Sequence, residues 1–566
     1  MKAKEKTTSN WWDKLGMPQY GGEITIRASR NLENFDPFFQ EVQSSIYGGW
    51  MERLICDDWT IDPDIWDYKL PWHPSKYMRG LLADRWEFPE PGTHIVHLRK
   101  GIHWQNIPPA NGREFTADDV VFHYNRQLGF NGYQNPSPYL PVVQLKELNS
   151  VQALDRYTVE FKWNAKNPEF IMEALHGVMQ RQCMENREAV QQWGDLRDWR
   201  HALGTGPFFL KDFTSGVAAT LIKDNKYWGY DERHPENKIP YVDSIKYLVI
   251  PDEEAALAEM RAGTLDIMDR VSHAQMLAMQ KTNPEIVPIF NPTTQAVTVQ
   301  PRFDKAPFTD IRVRKAMQFA LDLPAIARDH YHSTVEPYPS TMISRHLSKV
   351  MPGWGFPYQD WPQELKDEYA YNPDEAKRLF AEAGFPQGFK TNIIVDTASD
   401  MVLFEIIKQA FSEIGIEMEV RPMESNDCTA FVEARKHDQL VFRQYGPLGH
   451  CYAPFQAFTR LKTGANDIEV SDPVFDSYYY KAMAAPSEEE LKQVMKDMNE
   501  RVARQHYVVS LLQPREYALC QPWVKGYNGQ IHAIWMGVGG PSRLSFYGAR
   551  FFIDHDLKKA ITNKIK

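Results

Sequence analysis

Two strand–helix–strand runs, far apart in the chain, restrict what it can fold into more than any other feature. In residues 239–269 (IPYVDSIKYLVIPDEEAALAEMRAGTLDIMD), Asp252 caps a helix, Ala256, Leu257 and Met260 share its inward face, and Gly263 ends it. Residues 393–395 and 416–421 flank a second helix over 401–414. A helix between two strands lets them pair in parallel, and such a sheet needs helical cover, so each run calls for an α/β lobe. At 566 residues the chain also exceeds what one hydrophobic core organises, so two or three lobes are expected.

Further elements follow from local pattern. Residues 21–29 alternate as a strand, with Ile24 and Ile26 on one face, and so do 155–163. Residues 208–213 and 219–223 read as a hairpin, 296–300 and 507–513 as strands. Residues 46–56 read as helix-like, carrying Leu54 and Ile55 into a core. One helix is expected over 307–331, with Val313, Met317, Ala320 and Leu321 on a shared face. In 371–385 Asn372 caps a helix, Pro373 takes its first position and Gly384 ends it. Ser487 and Glu490 form a capping box for a helix to about Arg504.

The fullest wording lies in residues 98–126, LRKGIHWQNIPPANGREFTADDVVFHYNR. A strand over 94–99 stops at Gly101, and Pro108, Pro109, Asn111 and Gly112 make the turn. Thr116 then caps a helix with Asp119 as capping-box partner and Phe115 against Val120. Val120, Val121 and Tyr124 give it an apolar face, and Asp118 and Asp119 suit its positive end.

This stretch, with GTGPF at 204–208, the Asn-x-Tyr-Trp of 225–228, the PFTDIRVRKA of 307–316 and the WVKGYNG of 523–529, resembles the extracytoplasmic solute-binding proteins of ABC importers. The family concerned, family 5, carries oligopeptides, dipeptides, nickel chelates and some oligosaccharides. The resemblance implies a bilobal periplasmic-binding-protein-like α/β fold of the cluster C type, with an extra subdomain on the first lobe. It implies a linker over 1–19, first-lobe segments at 20–56, 201–290 and 523–566, the small subdomain at 57–200 and the second lobe at 291–522. Gly204, Thr205, Gly206, Pro207, Gly526 and Tyr527 are expected at the crossings between lobes. Cleft candidates are Tyr47, Trp50, Gln300, Tyr445, His450, Tyr452 and Phe455.

The implied function is capture of a peptide or similar solute by hinge closure and delivery to a permease with its ATPase subunits. In peptide-binding relatives the strand here spelled by residues 440–445 ends in an aromatic, and the next loop holds an Asp that meets the peptide amine. Tyr445 supplies the aromatic, but Gly446-Pro447-Leu448-Gly449 has no acid. Burying an ammonium without a counter-charge costs several kcal/mol, so either another carboxylate serves or the ligand has no amine there. An oligosaccharide-binding or other non-peptide protein of this fold is the second reading, and a nickel-chelate binder the third. Trp59, Trp66, Trp72 and Trp86 crowd one segment; packing explains them first and sugar stacking second.

The remaining sequence narrows the class. Net charge is −10 with no long basic run, which argues against nucleic acid and anionic membrane as partners. Five cysteines, Cys56, Cys183, Cys428, Cys451 and Cys520, are widely spaced and odd in number, so no disulfide framework is expected. His330-x-His332 and His94-x-x-His97 lack a third ligand at zinc spacing, and no metal, cofactor or catalytic residue is assigned. No apolar run reaches the roughly 18 residues of a membrane span, and no signal peptide is visible. Under the resemblance Met1 begins a shortened chain, and the protein is extracytoplasmic, monomeric, and either periplasmic or lipid-anchored at the outer face of the cell membrane.

Overall fold

The computed structural model describes residues 10–31, 35–39, 46–66, 69, 74–133, 135–137, 143–176, 183–291, 296–340, 352–397, 399–445, 452–460, 466–530 and 544–565. The chain divides into two compact units, Met1–Asn291 with Glu516–Lys566, and Pro292–Arg515. It therefore passes from the first to the second once, at Asn291–Pro292, and returns once, at Arg515–Glu516.

The first unit is built on a seven-stranded sheet. Its order is Val287–Asn291, Glu516–Cys520, Ile267–Ser272, Glu23–Ala28, Ser244–Val249, Ala218–Lys223, Phe208–Thr214. Glu23–Ala28 pairs in parallel with both Ser244–Val249 and Ile267–Ser272, while the outer pairings are antiparallel. The parallel strands expected from residues 239–269 thus exist, but Glu23–Ala28 lies between them, so the helix Glu253–Ala262 crosses over it. Asp252 caps that helix by accepting from the Ala255 amide at 2.7 Å. Ala256, Leu257 and Met260 bury against Leu265, Met268, Val271 and Met279.

A second, antiparallel sheet of the same unit orders Ala83–Glu90, Thr93–Leu98, Thr158–Trp163 and Leu148–Asp155. The helix Ala117–Leu128 packs on it, and the Asp119 carboxylate accepts from the Thr116 amide at 2.9 Å. From that helix Arg126 reaches the Asp36 carboxylate (2.9 and 3.1 Å) and Glu185, which also meets His123 Nδ1 at 2.9 Å. All four side chains are buried.

Residues 46–56 are not helical: Tyr47–Gly49 form one 3-10 turn and Ile55–Asp57 pair with Met78–Gly80. The strand pairing draws the end of this segment out of a helix, and Gly49 packs close to Leu221, where a Cβ would stand 2.6 Å from its Cδ1. Leu54 and Ile55 are buried as expected.

The second unit centres on a five-stranded sheet ordered Ile416–Met423, Phe389–Asp396, Leu440–Tyr445, Ala296–Pro301, Val509–Ser510. Phe389–Asp396 runs parallel to both Ile416–Met423 and Leu440–Tyr445, with helix Met401–Glu413 completing the strand–helix–strand run. The single helix expected over 307–331 is two, Ile311–Phe319 and Leu323–Asp329. Asp322 stops the first and caps the second, accepting from the Ala325 amide at 2.9 Å, and Pro324 fits only a first turn. Of 507–513 only Val509–Ser510 is strand, because only these two residues pair with Ala296–Pro301.

Candidate functional site

In open α/β sheets, ligands bind beyond the carboxyl ends of parallel strands. In the first unit those ends are Ala28, paired with Val249, and Ser272, paired with Glu516. Asn291 also pairs with Glu516. The carboxyl edge of the parallel strands is therefore the place where the chain leaves the first unit and comes back to it.

Strand Ile267–Ser272 is bulged at this edge. Register slips between the pairs Met268–Leu519 and Val271–Tyr517, so Asp269 and Arg270 together oppose Ala518, and Arg270 adopts φ 58°. A bulge of this kind re-aims side chains locally. Asp269 is only 5% exposed. Burial pushes its carboxyl above the ordinary range, against the pull of Arg270 and Arg27. The Arg27 guanidinium is committed elsewhere, donating to the carbonyls of Ile250 (2.9 Å) and Pro251 (3.0 Å). Glu516 is likewise pushed up by burial, with Arg270 opposing and Asp269 and Glu253 reinforcing. Tyr247 and Tyr527 complete the group, their hydroxyls held above the usual range by burial and then by the Asp269 charge.

In the second unit the carboxyl ends of the parallel strands are Asp396, Met423 and Tyr445. Tyr445 pairs with Ala296, close behind the outward passage. Its backbone holds the edge position; its side chain, His450 and the acid-free loop 446–449 lie outside the described residues.

Tyr47 and Trp50 belong to the first unit and are fully buried, Trp50 stacked on Phe35 with ring centroids 6.3 Å apart. Gln300, Tyr452 and Phe455 belong to the second. Gln300 is fully buried and donates to Thr298 Oγ1 at 2.9 Å, with its Oε1 unpaired among the described residues. Phe455 lies in an aromatic cluster with Phe475 and Tyr479, at 6.0 and 5.5 Å, and Tyr452 flanks it at 6.5 Å. Packing of the second unit accounts for both rings.

Gly204, Thr205, Gly206 and Pro207 do not cross between units, since all four lie inside the first. They press against residue 50 instead: the Gly206 amide donates to the Trp50 carbonyl at 2.9 Å. Gln105 clamps the same turn, accepting from Gly204 N at 3.2 Å and donating to Gly206 O at 3.2 Å and Phe208 O at 2.7 Å. Gly526 and Tyr527 also lie inside the first unit, because the return is at Arg515–Glu516 and the strand Glu516–Cys520 is already part of its sheet. Gly526, at φ 93°, turns the chain so that Tyr527 packs on Phe551, ring centroids 5.9 Å apart.

Beside this turn Glu52 is fully buried, receiving the Tyr227 hydroxyl at 2.6 Å and Trp228 Nε1 at 3.2 Å. Burial raises its carboxyl to about 7, although these hydrogen bonds and Thr205 oppose the rise. The folded chain therefore keeps a proton that the unfolded chain sheds near 4.5, so stability falls as pH rises from about 4.5 to about 7. Glu52→Gln should remove this slope. Urea titrations at about pH 5 and about pH 8 should show the wild type losing about 2–3 kcal/mol more than the variant across the interval.

Sequence reading missed Arg27, Tyr247, Asp269, Arg270 and Glu516. One signal was available: central parallel strands are buried on both faces, and Asp269 puts a carboxylate in such a strand. Asp266, three residues earlier, is structural by contrast, accepting from Thr25 N at 2.8 Å and Trp523 Nε1 at 2.6 Å. Trp59 and Trp66 are buried in the first unit, Trp59 against Tyr547 and under the Arg233 guanidinium, so packing occupies these rings. Trp72 lies outside the described residues. His94 is stacked between Phe88 and Phe161, His97 meets Glu87 at 3.0 Å and His330 meets Asp400 at 2.7 Å. Among the described residues no three His, Cys, Asp or Glu side chains gather as a metal site would require, and no helix is long and apolar enough to cross a membrane.

Residues 78–466 match the bacterial extracellular solute-binding proteins, family 5. Heme-binding protein A of Haemophilus influenzae is 27% identical over 479 residues, covering 80% of this chain and 82% of that one. The dipeptide-binding protein of Escherichia coli is 26% identical, covering 65% and 68%. Among solved structures, the periplasmic binding protein DppA of Helicobacter pylori in complex with the peptide STSA superposes with a TM-score of 0.75 at 20% identity, covering 95% of this chain and 99% of that one.

Proposed function

Because the chain belongs to family 5 of the bacterial extracellular solute-binding proteins, we propose that it captures a short peptide or peptide-like solute outside the cytoplasm. It is the substrate-binding component of an ABC import system, and it hands the solute to that system's permease. The match over residues 78–466 carries this reading. It is supported by two α/β units joined by only two passages, both at the carboxyl edge of the first unit's parallel strands, where binding residues are expected. Closure is about those passages, at Asn291–Pro292 and Arg515–Glu516, and not about residues 204–207 and 526–527, which lie inside the first unit. Ligand that favours the closed form shifts the population towards it. The protein performs no chemistry of its own; the permease's ATPase subunits supply the energy, and the binding protein works as a monomer.

A thermal-shift screen tests the reading with short peptides, glutathione, heme, oligosaccharides and nickel chelates. Heme belongs in it because the Haemophilus influenzae relative is named for heme. A solute that binds the native state at about 100 times its Kd stabilises it by about 2.7 kcal/mol. Peptides should raise the Tm; a rise with oligosaccharides or heme alone would overturn the peptide assignment and keep the importer role.

A further inference from the structure

The sequence holds three Asn-Gly pairs, Asn111-Gly112, Asn131-Gly132 and Asn528-Gly529. A glycine has no side chain to shield its amide nitrogen, which can attack the side-chain carbonyl carbon of the asparagine before it. The folded chain restrains the three pairs to different degrees.

Asn111 and Asn131 share a φ of 49° and are both exposed, so neither backbone shape nor solvent separates them. Hydrogen bonding does. The Asn111 amide donates to the Ile107 carbonyl at 2.8 Å, its Nδ2 to the Pro109 carbonyl at 3.0 Å, and the Gly112 amide to the Gln105 carbonyl at 3.4 Å. Every group that would have to move there is held. At the third pair the Asn528 amide donates to Gln530 Oε1 at 2.7 Å. Gly529 is buried, and a Cβ there would stand 2.8 Å from Ile289 Cγ2 and 2.9 Å from Asn291 Oδ1, so the peptide has little room to turn.

Asn131-Gly132 is the open pair. The two residues form the corner of a turn closed by the Tyr133 amide on the Phe130 carbonyl at 3.2 Å. Gly132 is exposed, and nothing lies within 4 Å of its Cβ position. Among the described residues neither the Asn131 nor the Gly132 amide donates a hydrogen bond. The side chain has one tie, Nδ2 to Asn125 Oδ1 at 3.2 Å.

We propose that Asn131 is a site of spontaneous deamidation in the folded protein. The Gly132 nitrogen gives its proton to hydroxide and bonds to Asn131 Cγ; the Cγ–Nδ2 bond breaks, and Nδ2 leaves as ammonia with a proton taken from water. Water then opens the cyclic imide at either carbonyl, leaving aspartate or isoaspartate at 131. Water is the only co-reactant, and no oxidant or reductant is needed. The product replaces the Nδ2 donor by a carboxylate oxygen, which faces Asn125 Oδ1 with no hydrogen to share. Asn125 closes the helix Ala117–Leu128, its carbonyl receiving the Gly129 and Phe130 amides, and the new negative charge arrives at the helix's negative end. The last turn of that helix also carries Arg126, so the modification loosens the element that holds the buried Asp36 and Glu185 carboxylates.

Peptide mapping by mass spectrometry tests this on the full chain, incubated at mildly acidic and mildly alkaline pH. The peptide holding residue 131 should gain acid about tenfold faster or more than those holding 111 and 528, since each hydrogen bond that must open first slows attack about fivefold. The gain should be faster in the alkaline sample, because the attacking nitrogen has to lose its proton. In guanidinium-unfolded chain the three rates should converge within about threefold, because the fold no longer restrains any of them. Equal rates at the three sites in the folded chain, or a faster gain at 111 or 528, overturn the proposal. Rates that keep their order on unfolding also overturn it, since sequence alone would then be the cause. Asn131→Asp, which installs the product directly, should lower the Tm by about 1–3 °C. An unchanged Tm overturns the effect on the helix end.

Discussion

Arg126→Met should destabilise the first unit by about 3–5 kcal/mol, the cost of stranding buried charges. Arg126 is 4% exposed and joins Asp36 to Glu185, which in turn holds His123. Burial keeps the Asp36 carboxyl above its ordinary range even with the guanidinium present. Glu185 is pushed up by burial too, yet Arg126 and His123 more than reverse this and hold it below. Without the arginine both acids lose the charge that offsets their desolvation. The Asp36 side chain also accepts from the Phe38 and Leu196 amides at 2.9 and 2.8 Å, so distant segments loosen together. Urea unfolding followed by tryptophan fluorescence measures the loss. A variant within about 1 kcal/mol of wild type would show that the network contributes no net stability.

Gly204→Ala is the second large effect, expected at about 3 kcal/mol or more and read as lost soluble yield and lowered Tm. A Cβ at residue 204 would stand 1.8 Å from the Trp50 carbonyl oxygen, and at residue 206 it would stand 2.7 Å from the same atom. The obstacle is backbone, so no rotamer change relieves it. Gln105 fixes the other side of the turn through both glycines, which prevents a simple shift. Gly216→Ala is the control for general glycine effects, since nothing lies within 4 Å of its Cβ position, although φ 71° adds strain of its own. The 204 variant should be clearly the worse of the two.

What was legible in the sequence was local. Thr116 with Asp119, Asn372 before Pro373, and Asp252 are caps whose hydrogen bonds close within three residues, and each forms as read. Failures came where a distant partner decides. Residues 46–56 look helical alone, but Met78–Gly80 draws Ile55–Asp57 into a strand pair. The insertion of Glu23–Ala28 between the two later parallel strands is a property of the whole sheet, invisible to any window of sequence. For the site, Tyr445 was placed at a strand end because its strand is local, and that strand end is a carboxyl edge. Asp269 and Glu516 were not brought together, since they share an edge only after the return strand Glu516–Cys520 enters the sheet beside Ile267–Ser272. The glycines of the GTGPF turn suit a change of direction and so suggest a crossing, but they serve a close approach to the Trp50 backbone instead.

The register Asn291 to Glu516 also sets an order of events during synthesis. The strand Val287–Asn291 is the sheet's edge, and its neighbour there is Glu516–Cys520. Everything between them is the second unit, which contains its own five-stranded sheet and core. On a growing chain the second unit can assemble from its own contacts, whereas the first must wait with an unfilled gap between Val287–Asn291 and Ile267–Ser272. Its completion is a long-range loop closure, the slow and exposed step of folding. The first unit, although it begins first, is therefore the last whose sheet is complete, and for as long as the gap stays open the chain has no finished carboxyl edge.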